Sequence, residues 1–242
     1  APSSSPTGSA SARRCSSTGN LRKEILMAHV SAGPVHHHAH HFNSAEEEFE
    51  AGKQGMWVFM VTEVLMFGGL FVAYGIFRAM YPEMFHKAHE MLSVKMGALN
   101  TVVLITSSVT MLFGVISAQR GKPGRSAMFL FATLVLAGAF LVVKYFEYSA
   151  KFEHHLLPGA YFANHELTHP KSPLFFSLYF LMTGLHGIHV IVGMGLITWL
   201  MIKTKKGHFS PAYYTPVELV GFYWHFVDLV WIYLFPLLYL VG

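Results

Sequence analysis

The sequence predicts an all-α protein, a polytopic bundle of about five membrane-spanning helices with its N-terminus in the cytoplasm and its C-terminus outside. Three observations carry that expectation. First, 53% of the 242 residues are apolar and only 12% are charged, whereas a soluble chain of this length needs more charge to cover its surface. Second, the apolar residues fall in long runs, and about five runs reach the roughly 20 residues that a bilayer core demands. Third, the basic residues lie in the connections and favour one side. With five spans, the N-terminus and the second-to-third and fourth-to-fifth loops share a side. It holds Lys53, Arg120, Lys122, Arg125, Lys203, Lys205, Lys206 and four more in the tail, against Arg78, Lys87, Lys95, Lys151 and Lys171 opposite. The richer side is the cytoplasmic one, and leaving out residues 1–26 does not change the sign.

The same numbers exclude other classes. Seventeen Lys and Arg against 13 Asp and Glu is not a nucleic-acid signature, because no aromatic-interleaved basic patch accompanies them. The single cysteine, Cys15, lies in a polar stretch and supports neither a disulfide framework nor a cysteine metal site. There is no nucleophile elbow, phosphate loop or paired-carboxylate hydrolase pattern.

Taken in order, residues 1–53 read as a polar, disordered tail. Two readings of residues 1–26 compete: an Arg- and Ser-rich organellar presequence, or upstream sequence over-read ahead of a true start at Met27. The second is the expectation here. A histidine cluster at 36–41 precedes the acidic run Glu46-Glu47-Glu48. Such a cluster binds divalent metals adventitiously, but it has no second ligand type at fixed spacing and reads as a solvated tail. Residues 54–242 form the membrane domain. Its spans are expected at about 54–78, 94–118, 126–150, 174–202 and 217–241. Pro82, Pro123, Pro158, Pro170, Pro173, Pro211 and Pro216 fall in or beside the connections, where a lost amide hydrogen bond does no harm.

The first span, QGMWVFMVTEVLMFGGLFVAYGIFR, carries one ionisable residue before Arg78, which is Glu63. A carboxylate there costs roughly 2.5–3.5 kcal/mol on insertion scales, so it marks a functional or paired group. Phe59, Met60, Met66 and Phe67, its helical neighbours, are apolar, so this helix offers it no relay partner. Glu63 therefore reads either as an ion-pathway acid or as a structural or regulatory one. The other spans show polar stripes at helical spacing. Gly55, Thr62 and Gly69 recur every seven residues and are expected to line a seam where another helix approaches closely. Asn100, Ser107 and Gly114 do the same in the second span. His186, His189 and Gly193 are expected on one face of the fourth, and Glu218, Gly221, His225 and Asp228 on one face of the fifth. His186, His189 and His225 could ligate a haem or metal, or form interhelical hydrogen bonds worth roughly 0.6–2 kcal/mol each. The i, i+3 pair suits a metal better than two haems. Lys144 and Glu147 sit near the far end of the third span.

Five motifs carry a resemblance over residues 54–242. They are Gly55-Met56-Trp57 with Thr62-Glu63-Val64-Leu65, then Leu99-Asn100-Thr101, then Lys144-Tyr145-Phe146-Glu147-Tyr148. Gly184-Leu185-His186-Gly187-Ile188-His189-Val190 follows, and last Glu218 with Tyr223-Trp224-His225-Phe226-Val227-Asp228-Leu229-Val230-Trp231. In this order and spacing the chain resembles cytochrome c oxidase subunit III. The resemblance implies a subunit of a respiratory oxidase that reduces oxygen to water and moves protons, in a bacterial inner membrane or, alternatively, a mitochondrial one. Family members hold no haem or copper, which belong to subunits I and II. They pack on subunit I, meet cytochrome c only indirectly, bind phospholipid in a cleft, and sustain proton uptake. Glu63 matches the family's carbodiimide-reactive glutamate. Asn100, Glu147, His186, His189, Glu218, His225 and Asp228 then read as polar packing, lipid or subunit contacts, with no metal and no catalytic residue in this chain. Longer members have seven spans and this sequence matches the last five, as in short bacterial forms of aa3- or caa3-type oxidases. The rivals are an accessory subunit of a quinol oxidase or nitric oxide reductase and, in another class, a b-type cytochrome or metal transporter built on the three histidines.

Overall fold

The computed structural model describes residues 45–153, 156, 172–209 and 213–241. The expectations for residues 1–44, the histidine cluster among them, lie outside the described residues. Among the described residues six α-helices follow in order: α1 Ala45–Met80, α2 Pro82–Glu90, α3 Val94–Gln119, α4 Pro123–Glu153, α5 Ser172–Lys205 and α6 Thr215–Phe235, the last continued by a π turn at Pro236–Leu240. Five of them, all but α2, are long and apolar enough to cross a membrane. The fold class is as the sequence predicts. The helices overrun the expected spans, α1 by nine residues at its start.

The ends follow local chemistry. Prolines occupy the first turn of α2 and α6, where their missing N–H is no loss. α3 and α5 stop at Gly121 (φ 65°) and Gly207 (φ 73°), left-handed positions that favour glycine. Beyond each glycine a backbone N–H reaches back over the last turn, from Lys122 to Ser117 O and from His208 to Lys203 O, and so occupies orphan carbonyls.

The nine-residue α2 was not foreseen. Met84, Phe85 and Ala88 are buried while Glu83, His86, Lys87 and Glu90 face out. Phe85 stands edge-on to Tyr74 of α1 and Phe175 of α5, so this amphipathic turn closes one end of the bundle.

In the body of the fold, α3 packs on α4 and α6, and α5 packs on α4 and α6. Small residues set the close approaches. A Cβ on Gly193 would meet the Trp224 ring at 2.8 Å, one on Gly97 would meet Phe235 at 2.8 Å, and one on Gly221 would meet Val115 at 3.0 Å. Polar groups on the seams find each other. Trp224 Nε1 donates to Ser107 Oγ at 2.9 Å, Trp231 Nε1 to Thr101 Oγ1 at 3.1 Å, and Ser126 Oγ to the Gly114 carbonyl at 2.9 Å. The Asn100–Ser107–Gly114 stripe is thus a buried seam, as expected.

The Gly55–Thr62–Gly69 stripe is not. All three residues are exposed, a Cβ on either glycine would meet nothing within 4 Å, and Thr62 turns its hydroxyl to its own Phe59 carbonyl at 2.6 Å. The heptad spacing is real, but α1 turns the opposite face inward, with Met56, Met60, Glu63, Phe67, Leu70 and Tyr74. Van der Waals packing in a bilayer rewards bulky contact as well as close approach, and here the bulky face won.

Candidate polar sites within the membrane bundle

Glu63 enters the interior from α1 and meets His189 of α5, with Oε2 and Nε2 at 3.0 Å and both side chains largely buried. The partner that α1 lacks is thus supplied by another helix. His189 Nδ1 lies 2.8 Å from the Leu185 carbonyl, so that nitrogen carries a proton and donates it. Nε2 then faces the carboxyl at ion-pair distance, although Glu63 Oε2 makes no well-aligned hydrogen bond among the described residues. Phe67 packs edge-on to the imidazole at 5.4 Å. Tyr223 gives its hydroxyl to the His189 carbonyl at 3.0 Å rather than joining the pair. An isolated acid–imidazole contact does not by itself conduct a proton, which takes a chain of groups within hydrogen-bond reach. Beside it, α1 stands off from α5 and α6 across an apolar groove of about 510 Å³, lined by Met56, Phe59, Ile188, His189, Val192 and Tyr223 among others.

Glu147 belongs to a closed cluster that the sequence reading named only in part. Lys144 Nζ donates to Glu147 Oε2 at 2.9 Å, to Tyr239 Oη at 2.8 Å and to Tyr179 Oη at 3.4 Å. The two tyrosines in turn donate to Glu147 Oε1, at 2.9 Å from Tyr179 and 2.5 Å from Tyr239. The ammonium also lies 4.8 Å from the centre of the Trp231 ring, a cation–π distance. Each of its three N–H donors has an acceptor. Tyr239 reaches this point because the π turn is pinned from two sides. Tyr74 donates to the Leu237 carbonyl at 3.0 Å, and His89 Nε2 lies 2.8 Å from the Tyr239 carbonyl. Opposite charges at i, i+3 in an apolar run were the available signal for Lys144 with Glu147. Tyr179 and Tyr239 had none.

The three histidines do not converge. His186 is enclosed between Phe140, edge-on at 5.6 Å, and Trp231 at 5.3 Å, and neither ring nitrogen finds a partner among the described residues. His189 faces α1. His225 Nδ1 faces Ser108 of α3 at 2.5 Å. His186 and His189, expected on one face of the helix, meet different neighbours, because the roughly 60° between i and i+3 is enough to send them to different ones. Glu218 likewise parts from its stripe. It lines a pocket against Lys53, Met56 and Trp57 of α1, while Gly221, His225 and Asp228 face α3. Asn100 is fully buried with neither amide atom hydrogen-bonded among the described residues. Among those residues no three His, Cys, Asp or Glu side chains form a group that could hold a metal ion.

The sequence model for cytochrome c oxidase subunit III matches residues 34–242. The chain belongs to that family. A probable cytochrome c oxidase subunit 3 of Nocardia farcinica is 34% identical over 187 residues, covering 77% of this chain and 86% of the relative. A cytochrome c oxidase subunit 3 of Thermostichus vulcanus is 31% identical with the same coverage. A cytochrome bo(3) ubiquinol oxidase subunit 3 of Pseudomonas putida is 26% identical, covering 78% and 84%. This family member is therefore an integral membrane subunit of a haem–copper oxidase, an oxidoreductase complex.

Proposed function

We propose that this subunit III serves a bacterial aa3- or caa3-type cytochrome c oxidase as its non-redox subunit, in the inner membrane, N-terminus in and C-terminus out. In this reading it packs against subunit I and stabilises it, binds phospholipid, and sustains proton uptake. Haem and copper stay in subunits I and II. Among the described residues, the Glu63–His189 pair is the observation that carries the proposal. An intramembrane acid is retained where it is used, and here it faces an imidazole at 3.0 Å next to an apolar groove of about 510 Å³. In this reading the Glu63 carboxyl and the His189 ring hold a proton between them, while Phe67 and Phe59 keep the surroundings apolar. The uncompensated outer face of α1 supports a partner subunit beside it. Higher identity to relatives named for cytochrome c than to those named for ubiquinol favours the cytochrome c branch. A quinol oxidase is the second reading, supported by the Pseudomonas putida relative.

Mild-detergent purification of the tagged chain from native membranes, with partner identification and a reduced-minus-oxidised spectrum, tests this. Large haem-bearing partners with an a-type spectrum are expected. Partners with only b- or o-type haem would move the chain to the quinol branch. A chain that came alone and still absorbed would overturn the reading and make its histidines ligands.

A further inference from the structure

Asn100 and His186 are polar, deep in the core and unmatched, and both border one layer of aromatic rings. His186 of α5 packs edge-on to Phe140 of α4 at 5.6 Å and lies 5.3 Å from the Trp231 ring of α6. Phe140 and Trp231 themselves meet edge-on at 5.0 Å. Asn100 of α3 comes to this layer from the other side. Its neighbour Thr101 accepts the Trp231 N–H at 3.1 Å. The Thr110–Thr133 and Gly114–Ser126 contacts set an antiparallel register between α3 and α4, which places Asn100 opposite residues 140–143. Both side chains are 0% exposed. Neither amide atom of Asn100 and neither ring nitrogen of His186 has a hydrogen-bond partner among the described residues.

Few things can satisfy them. A buried amide or imidazole without a partner is costly in any apolar medium, and most so in a bilayer. The two groups do not serve each other, because α3 and α5 face across the body, each packed on α4 and α6, with the Phe140–Trp231 contact between. Lipid and other subunits do not reach them, since this chain covers both completely. The Lys144 ammonium has its three N–H donors engaged elsewhere. A bound metal ion needs four or more ligands, and among the described residues no group of His, Cys, Asp and Glu could hold one. Water meets the demand. It both donates and accepts, as an amide and an imidazole require, and helix carbonyls with a free lone pair supply its remaining partners. A buried water makes about three such bonds.

We propose that this layer is an internal hydration site, with at least one ordered water bound to the Asn100 amide and at least one to the His186 ring, on opposite sides of the Phe140–Trp231 contact. The site is closed within this chain and does not depend on the oxidase reading. Through helix carbonyls the waters tie α3 and α5 to their neighbours. They thereby hold the layer in register with Trp231, whose ring lies 4.8 Å from the Lys144 ammonium. Polar contacts between spanning helices act in this way whether they are direct or carried by water.

The test is a density map of the assembled complex, purified from native membranes in mild detergent, at a resolution that shows ordered water. Water is expected within about 2.7–3.2 Å of an Asn100 amide atom and of a His186 ring nitrogen. A dry layer, either side chain bonded directly to a protein group, or a metal ion in place of water would each overturn the proposal. X-ray radiolytic footprinting of the same complex checks it in solution, because radicals made from bound water oxidise the buried rings beside it. Trp231 should be oxidised several-fold more than Trp224, which is equally buried and has its N–H on Ser107. His186→Leu should bring Trp231 down towards the level of Trp224, with unchanged Trp224 showing that the variant has folded. Equal oxidation of the two rings in the parent complex would overturn the proposal as a dry map would.

Discussion

The Lys144–Glu147 cluster and the Glu63–His189 pair are both buried acid–base contacts in a bilayer-sized helix bundle, yet one is closed and the other is open. Around Lys144 every donor has an acceptor, supplied by α4, α5 and the C-terminal turn of the same chain. Around Glu63 the contact is a single pair on a seam whose outer wall is a groove. The difference tracks the helices. Only 6% of the apolar window of α1 is buried, against 56% for the last span. Eleven residues of α6 are buried, while α1 buries Phe67 and Tyr74. The four-helix body α3–α6 thus covers far more of its own surface than α1 does, and α1 leaves most of its apolar window for packing from outside. In a membrane the incentive for such completion is packing and polar matching rather than water exclusion.

The contrast can be sharpened by substitution, beginning where the largest effect is expected. Lys144→Met leaves Glu147 buried with only Lys151, one turn on, as counter-charge and should destabilise the fold by up to about 3–5 kcal/mol, read as a loss of thermal stability in detergent. Adding Glu147→Leu should restore much of that loss, because an apolar pair replaces a charge left alone. A double variant as unstable as the single one would show that the cluster does more than neutralise itself. Gly193→Ala puts a methyl against Trp224 and should cost about 1–3 kcal/mol. Gly69→Ala, facing open space, should leave the isolated chain within about 0.5 kcal/mol of the parent and act, if at all, on assembly. Equal effects at the two glycines would break the distinction between closed body and open α1. Trp224→Phe removes the hydrogen bond to Ser107 and should cost about 0.5–1.5 kcal/mol. Glu63→Gln keeps a neutral group facing His189 and should change stability by less than about 1 kcal/mol. Carbodiimide labelling of this chain should vanish with it, and labelling at the parental rate would place the reactive acid elsewhere.

How far this was readable in the sequence depended on distance along the chain. The five spans were legible because roughly 20 apolar residues in a row have few other uses. The nine-residue α2 was not, because it is short, on average polar and held by Phe85 contacts that only the fold reveals. Glu63 stood out as the lone acid of its span, but its partner lies on a helix more than 100 residues away, and no local pattern names it. The Gly55–Thr62–Gly69 heptad gave the alignment correctly and left the occupant open: periodicity says which residues align, not whether this chain or another body lies against them. Asp228 was legible as a polar residue on a helical stripe. What stands beside it, Ser108 and His225 in a groove between α3 and α6, was not, since satisfaction of a buried group is a property of its surroundings.

Hydrogen–deuterium exchange of the purified chain, compared with the same chain in the assembled oxidase, tests most directly whether α1 is completed from outside. Amides of 54–78 should exchange much faster in the isolated chain and become protected on assembly, while those of α4 and α6 change little. Equal protection of α1 in both states would contradict the account and make α1 as self-sufficient as the body it flanks.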